Sequence, residues 1–231
     1  MRRLLRFLAG LAVAAAAIFL AVQISFLARV WWWKDHNPGT TAFMDARLEE
    51  LRAKNREARL QRAWIPYDRI SASLKRAIVV AEDSKFVDHE GFDWEAIDKA
   101  REKNRKKGKV VAGGSTISQQ LAKNLFLSSS RTPWRKGQEA LITVMIEHVM
   151  DKRRILEVYL NVIEWGDGIF GADAAARHYY GVGAASLDAA QSARLAAIVP
   201  NPRFYDRNRN TPFIARKTAT ILARMPAAEL P

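Results

Sequence analysis

Residues 7–28 form an apolar stretch of 22 residues without a charge, interrupted only by Gln23 and Ser25. At 1.5 Å per residue a helix of that length covers about 33 Å, enough to cross a hydrocarbon layer of roughly 30 Å. A cleaved signal sequence has a shorter apolar segment, about 7–15 residues, that ends in small residues. Here Arg29, Trp31, Trp32, Trp33 and Lys34 follow instead. Tryptophans beside basic residues are an interfacial belt, so a retained anchor is expected. Arg2, Arg3 and Arg6 precede the span and place that end in the cytoplasm. Residues 1–34 are therefore read as a cytoplasmic stub and transmembrane anchor.

The pattern changes after the tryptophans. Residues 35–65 are polar and charged and read as a connector, helical over about 41–62. From residue 66 to 231 most segments repeat at the helical period. Residues 71–81 have the spacing of a buried helix, although Ile78, Val79 and Val80 also suit a short strand. Asp93 can cap a helix over 94–106, and Ser115 or Thr116 another that ends near 125. Helices are expected over 134–151 and 152–163. In the first, Leu141, Val144, Met145, His148 and Val149 keep the i, i+3, i+4, i+7, i+8 rhythm. Gly166, Gly168 and Gly171 mark a loop. Helices over 172–180, over 187–199 capped by Ser186, and from Pro212 to about residue 225 complete the chain. The predicted fold class is mainly α, with at most a small β element.

Charge narrows the choice of partner. Across 231 residues, 37 Lys and Arg stand against 24 Asp and Glu, a formal net charge of +13. A basic surface next to a membrane suits anionic lipid, diphosphate or acidic polymer. An exported, anchored domain makes nucleic acid an unexpected partner. The chain has no cysteine and so no disulfide. The run KAREKNRKKGKV holds seven Lys or Arg between residues 99 and 109. It reads either as a solvated, mobile segment or as a flap that touches anionic headgroups.

Three stretches carry candidate chemistry. In AEDSKFVDHEGFD, Glu82 and Asp83 follow the apolar AIVVA run. A carboxylate at that exit is half desolvated, which raises its pKa and makes it a usable base. The plain alternative is a solvated helix end, or an ion pair with Lys85 or His89. In GGSTISQQLAKN, glycines allow close approach to a ligand, and Ser115 and Thr116 offer a helix start. Gln119 and Lys123 lie four apart on one face, and Lys123 suits phosphate oxygens. In RTPWRKGQE, Arg135 and Glu139 also lie four apart. They form either a surface pair worth little or one side of a cleft facing Glu82, with Arg131, Arg135 and Lys136 supplying positive charge.

EDSKFVDHEGFD, GGSTISQQLAKN, RKGQE and RRILEVYLN, in that order, resemble the peptidoglycan glycosyltransferase family. The likeness covers roughly residues 66–210. It implies a lysozyme-like helical fold, and polymerisation of lipid II into β-1,4 glycan strands by inverting displacement of polyprenyl diphosphate. It places the protein in cell wall biosynthesis at the bacterial inner membrane, with the catalytic domain periplasmic. Since the last motif lies so near residue 231, the chain resembles the monofunctional form, without a transpeptidase domain. Glu82 matches the catalytic base, and Glu139 the second essential carboxylate, whose part is to move a proton or to position basic groups. Asp83, Phe86, His89 and Gly91 match the rest of the first motif, shaping the cleft. Ser115, Thr116, Gln119, Gln120 and Lys123 match the second, with Lys123 on the donor diphosphate. Arg131 resembles the family's donor-site arginine, and Arg135 and Lys136 belong to the third motif. Arg154, Glu157 and Asn161 match a motif read as mostly structural. Ser118 stands where threonine is commoner; the hydroxyl is kept.

The implied chemistry gives each residue type a reason. A departing diphosphate concentrates negative charge, which the basic side chains offset. The attacking hydroxyl needs a base, and such help is typically worth about 10²–10⁴-fold. No organic cofactor is required, because the substrate arrives activated; a divalent cation such as Mg²⁺ can share the diphosphate. Expected partners are lipid II, the growing strand and membrane lipid, with cell-division or wall-synthesis proteins as further candidates. The rival reading is a lytic, lysozyme-like hydrolase of finished wall, which needs no diphosphate clamp.

Overall fold

The computed structural model describes residues 1–111, 113–127 and 132–231. Helix α1 (Arg2–Asp35) is followed by α2 (Ala42–Lys54), strand β1 (Gln61–Arg62), α3 (Ala72–Glu82), α4 (Trp94–Lys107), α5 (Ile117–Phe126) and α6 (Pro133–Val149). Then come α7 (Lys152–Val162), β2 (Glu164–Gly166), β3 (Ile169–Phe170), α8 (Ala172–Tyr180), α9 (Ala189–Ile198), α10 (Pro202–Arg207) and α11 (Pro212–Arg224). The fold is mainly α, as the periodicity predicts. The β element is one small sheet in the order β1-β3-β2, in which β1 runs parallel and β2 antiparallel to β3.

Helix α1 is a single apolar rod, long enough to cross a membrane. Residues 1–18 are all exposed. Its later turns dock on the domain. The Gln23 amide donates to Gln138 Oε1 at 2.9 Å, and the Phe26 and Trp33 rings lie 5.0 and 5.3 Å from Phe126. Arg154 donates to the carbonyls of Trp33 and His36, closing the C-terminal end of the anchor helix. Asn161 holds the Ile65 backbone from both sides, at 2.8 and 2.9 Å, and Glu157 accepts from the Trp64 indole at 3.3 Å. All three side chains of that motif thus fasten the segment before the domain to α7.

The core centres on α3, α5, α7 and α9. Leu74, Ile78, Ile117, Leu121, Ile155, Tyr159 and Trp165 are fully buried. Each such aliphatic side chain contributes about 1.5–3 kcal/mol through area removed from water. The 71–81 segment is a helix, not a strand. Ser71 accepts from the Leu74 N–H at 3.1 Å, and α3 then packs on α9 and α11, which also pack on each other.

Three expectations change. The connector helix ends at Lys54 rather than near 62, because β1 leaves to pair with β3. Asp188, not Ser186, caps α9, through a capping box with Gln191. Most of the basic run is the exposed C-terminal half of α4, the helix expected over 94–106, which ends at Gly108 with φ +62°. On α6 the proposed stripe faces the wrong way. Leu141, Val144 and His148 are exposed, while Gln138, Glu139, Ile142, Thr143 and Ile146 are buried. This helix has apolar residues on two faces, and its polar residues are buried for reasons that belong to the site.

Candidate active site

Helix α3 carries its apolar run inward until Glu82, whose side chain is only 10% exposed. The Gln120 amide donates to Glu82 Oε2 at 3.0 Å. The Tyr159 hydroxyl donates to Gln120 Oε1 at 3.0 Å, which fixes the amide with its N–H toward the carboxylate. Burial raises the Tyr159 pKa well above its ordinary value, so the phenol keeps its proton. Glu82 Oε1 has no hydrogen-bond donor among the described residues. Among the described residues its nearest cation is Lys217 of α11, with Nζ at 3.8 Å. Burial raises the Glu82 pKa, against the pull of Lys217, Gln120 and Lys123. Burial lowers the Lys217 pKa while Glu82 opposes it.

The neighbouring motif residues build the floor beneath this carboxylate. Asp83 accepts from the Ile117 N–H at 2.9 Å and pairs with His89 Nε2 at 3.0 Å, so its oxygens tie α3 to the start of α5. His89 Nδ1 accepts from the Gly91 N–H at 3.1 Å; the proton therefore sits on Nε2, facing Asp83. Phe86 is fully buried under the turn, with Lys152 Nζ 4.8 Å above its ring. Gly91 has φ +90°, and a Cβ there would meet Thr143 Cγ2 at 2.8 Å. Its carbonyl accepts from the Thr116 hydroxyl at 2.7 Å.

Thr116, not Ser115, caps α5, in a reciprocal box with Gln119. The Gln119 side chain is thereby committed to the helix start. Gly114 allows a close approach, but to α4: a Cβ would lie 2.8 Å from Ile97 Cα. The Ser118 hydroxyl donates to Glu147. Ser115 is exposed and accepts from Lys136 Nζ at 3.5 Å, which links the loop before α5 to α6. Lys123 is half-buried on the face of Gln120, where its charge bears on Glu82.

Glu139 is 3% exposed, and both its oxygens are engaged. Arg135 donates to Oε2 at 2.7 Å, and Lys136 binds Oε1. This carboxylate is a holder of cations rather than a free base. Arg131 lies outside the described residues. Among the described residues no three His, Asp or Glu side chains converge as a metal cage.

Lys217 and Tyr159 are the functional neighbours that motif reading misses. Lys217 is a single lysine in an ordinary amphipathic helix, and only the packing of α11 on α3 brings it to Glu82. Tyr159 sits inside RRILEVYLN, where its fellow residues are structural. Its signal was a polar group at a wholly buried position.

A family model described as Transglycosylase matches residues 48–226. The chain belongs to this transglycosylase family. Full-length relatives agree. The biosynthetic peptidoglycan transglycosylase of Dechloromonas aromatica is 61% identical over 231 residues, 100% of each chain. That of Chromobacterium violaceum is 59% identical over 226 residues, 98% of this chain and 99% of the relative. That of Nitrosospira multiformis is 61% identical over 215 residues, 93% and 94% of the two chains. The transglycosylase match begins inside α2, so α1 and the first turns of α2 lie ahead of it.

Proposed function

We infer that this chain is a biosynthetic peptidoglycan transglycosylase that polymerises lipid II at a membrane. The observation that carries the reading is Glu82: a buried carboxylate with a raised pKa, oriented by Gln120, with one oxygen free of hydrogen-bond donors. That oxygen suits acceptance of the acceptor sugar's 4-hydroxyl proton. As the proton moves to Glu82, the acceptor sugar's 4-oxygen attacks the donor's anomeric carbon, and the bond from that carbon to the polyprenyl diphosphate breaks. One displacement inverts the centre, so an α-linked diphosphate becomes a β-1,4 bond.

Lys123, Arg135 and Lys136, with Arg131, would offset the charge of the departing diphosphate. Glu139 would act by setting the positions of Arg135 and Lys136. No organic cofactor is needed. A divalent cation such as Mg²⁺ would be held mainly by diphosphate oxygens, since both Glu139 oxygens are already paired. The arginines at positions 2, 3 and 6 favour a cytoplasmic N-terminus, which puts the domain on the outer face of the inner membrane.

The test is to incubate the purified full chain with labelled lipid II. Glycan polymer that disappears in Glu82→Gln is expected. No polymer from a folded wild-type protein overturns the reading, and release of fragments from finished wall would point to the hydrolase instead.

A further inference from the structure

Beside the Glu82 pair lies a cavity of about 230 Å³, and α2 supplies one of its walls. Phe43 and Arg47 line it from α2, Gln120 and Asn124 from α5, and Asn201 and Pro202 from the start of α10. Gln120 is the amide that holds Glu82, so one residue of the cavity wall touches the reacting carboxylate. Phe43 and Arg47 both precede residue 48, where the family match begins.

The helix is fastened at this place. Arg47 forks onto Glu164 at 2.7 and 3.0 Å, with both side chains below 10% exposure. Arg203 of α10 reaches across to Glu50 of α2 at 2.8 Å and to Asp167 at 3.1 Å. These contacts join α2 to β2 and α10 around the cavity. They also occupy the charge of both arginines with carboxylates. The rest of the lining includes the amides Gln120, Asn124 and Asn201, two prolines, the Phe43 ring and Lys123, whose Nζ is 5.9 Å from that ring. Amide donors and acceptors beside an apolar ring suit an acetamido sugar, and Lys123 at the same cavity suits the diphosphate to which a lipid-linked sugar is joined.

We propose that α2, whose first half precedes the matched domain, forms one wall of a saccharide subsite for the lipid-linked substrate, with Phe43 as its apolar platform. The proposal rests on the transglycosylase reading and adds a binding element from outside the matched domain. Arg47 is a positioning residue in it, acting through Glu164 and not on the sugar.

Binding without turnover tests this. The parent is the full-length Glu82→Gln protein in detergent micelles, and the probe is lipid II. Adding Phe43→Ala should weaken Kd by about five- to tenfold, since a lost ring contact is worth roughly that much. Phe43→Tyr should stay within about twofold of the parent by the same reasoning. Phe43→Leu keeps apolar volume without a flat ring, and decides the matter if the alanine variant lowers Tm. Unchanged Kd in Phe43→Ala and Phe43→Leu, with Tm held, overturns the proposal. A parent that fails to bind lipid II at all overturns the functional reading instead, so the two failures are distinguishable.

Discussion

Two buried glutamates end up with opposite properties. Glu139 is enclosed by cations on both oxygens, whereas Glu82 receives one neutral amide and a lysine at 3.8 Å. Burial raises the Glu82 pKa, whereas both Glu139 oxygens are already paired with Arg135 and Lys136. Glu82 can therefore take a proton, and Glu139 is spent on holding Arg135 and Lys136 in place. The sequence marks Glu82 by the apolar run before it and Glu139 by Arg135 four residues earlier, but shows the burial of neither.

Substitution should separate them. Glu82→Gln should lower polymerisation by about 10²–10⁴-fold, the usual worth of a general base. Its Tm should be retained or raised, because the change removes a buried charge. The sign follows from linkage. The folded state binds the Glu82 proton more tightly than the unfolded chain, so ionisation costs stability as pH rises through the raised pKa. Glu139→Gln should instead lower both activity and stability. It leaves the largely buried Arg135 guanidinium without its partner, at a cost of about 1–3 kcal/mol, or roughly 2–4 °C in Tm per kcal/mol. Polymerisation assays and thermal melts on both variants check the contrast. Equal Tm losses would end it.

The same contrast explains how much was legible beforehand. The apolar run into Glu82 showed that a carboxylate would leave a buried helix, and the helices themselves followed from period and capping residues. Partner identity was another matter. Asp83, His89 and Thr116 looked like cleft residues but spend their polar atoms on each other and on the Ile117 and Gly91 backbones. Such closure is invisible in a one-dimensional pattern, because it depends on α3 meeting the start of α5. Lys217, 135 residues beyond Glu82, has no local mark at all. The α6 stripe failed for a related reason: period reports which residues share a face, not which of two apolar faces turns inward.

Lys217 is the next lever on the comparison. Its charge holds the Glu82 pKa down against burial. Lys217→Met should therefore raise that pKa further. Since the base works only when ionised, activity falls as pH drops through the Glu82 pKa, already above the usual carboxylate range. The acid limb of the pH–kcat/KM profile should move to higher pH in the variant, with a smaller loss at alkaline pH. An unmoved acid limb would show that Lys217 does not set the base.

The smallest effect should come from Tyr159→Phe. The hydroxyl touches neither Glu82 nor any cation; it accounts for one hydrogen bond, to Gln120 Oε1. Losing it leaves a buried amide oxygen unpaired, at a cost of about 1–3 kcal/mol. It also removes what tells the Gln120 amide which way to face. A flipped amide would present its oxygen to Glu82, oxygen against carboxylate, which pushes the Glu82 pKa up and the acid limb with it. The shift should be smaller than for Lys217→Met, because a dipole replaces a full charge. Gln120→Glu in the same background separates the two routes. A second carboxylate beside Glu82 would raise the limb strongly whether or not Tyr159 is present, whereas Gln120→Met should make Tyr159→Phe silent in the pH profile. If Tyr159→Phe still moves the limb when Gln120 is methionine, the tyrosine acts on Glu82 by some path other than this amide.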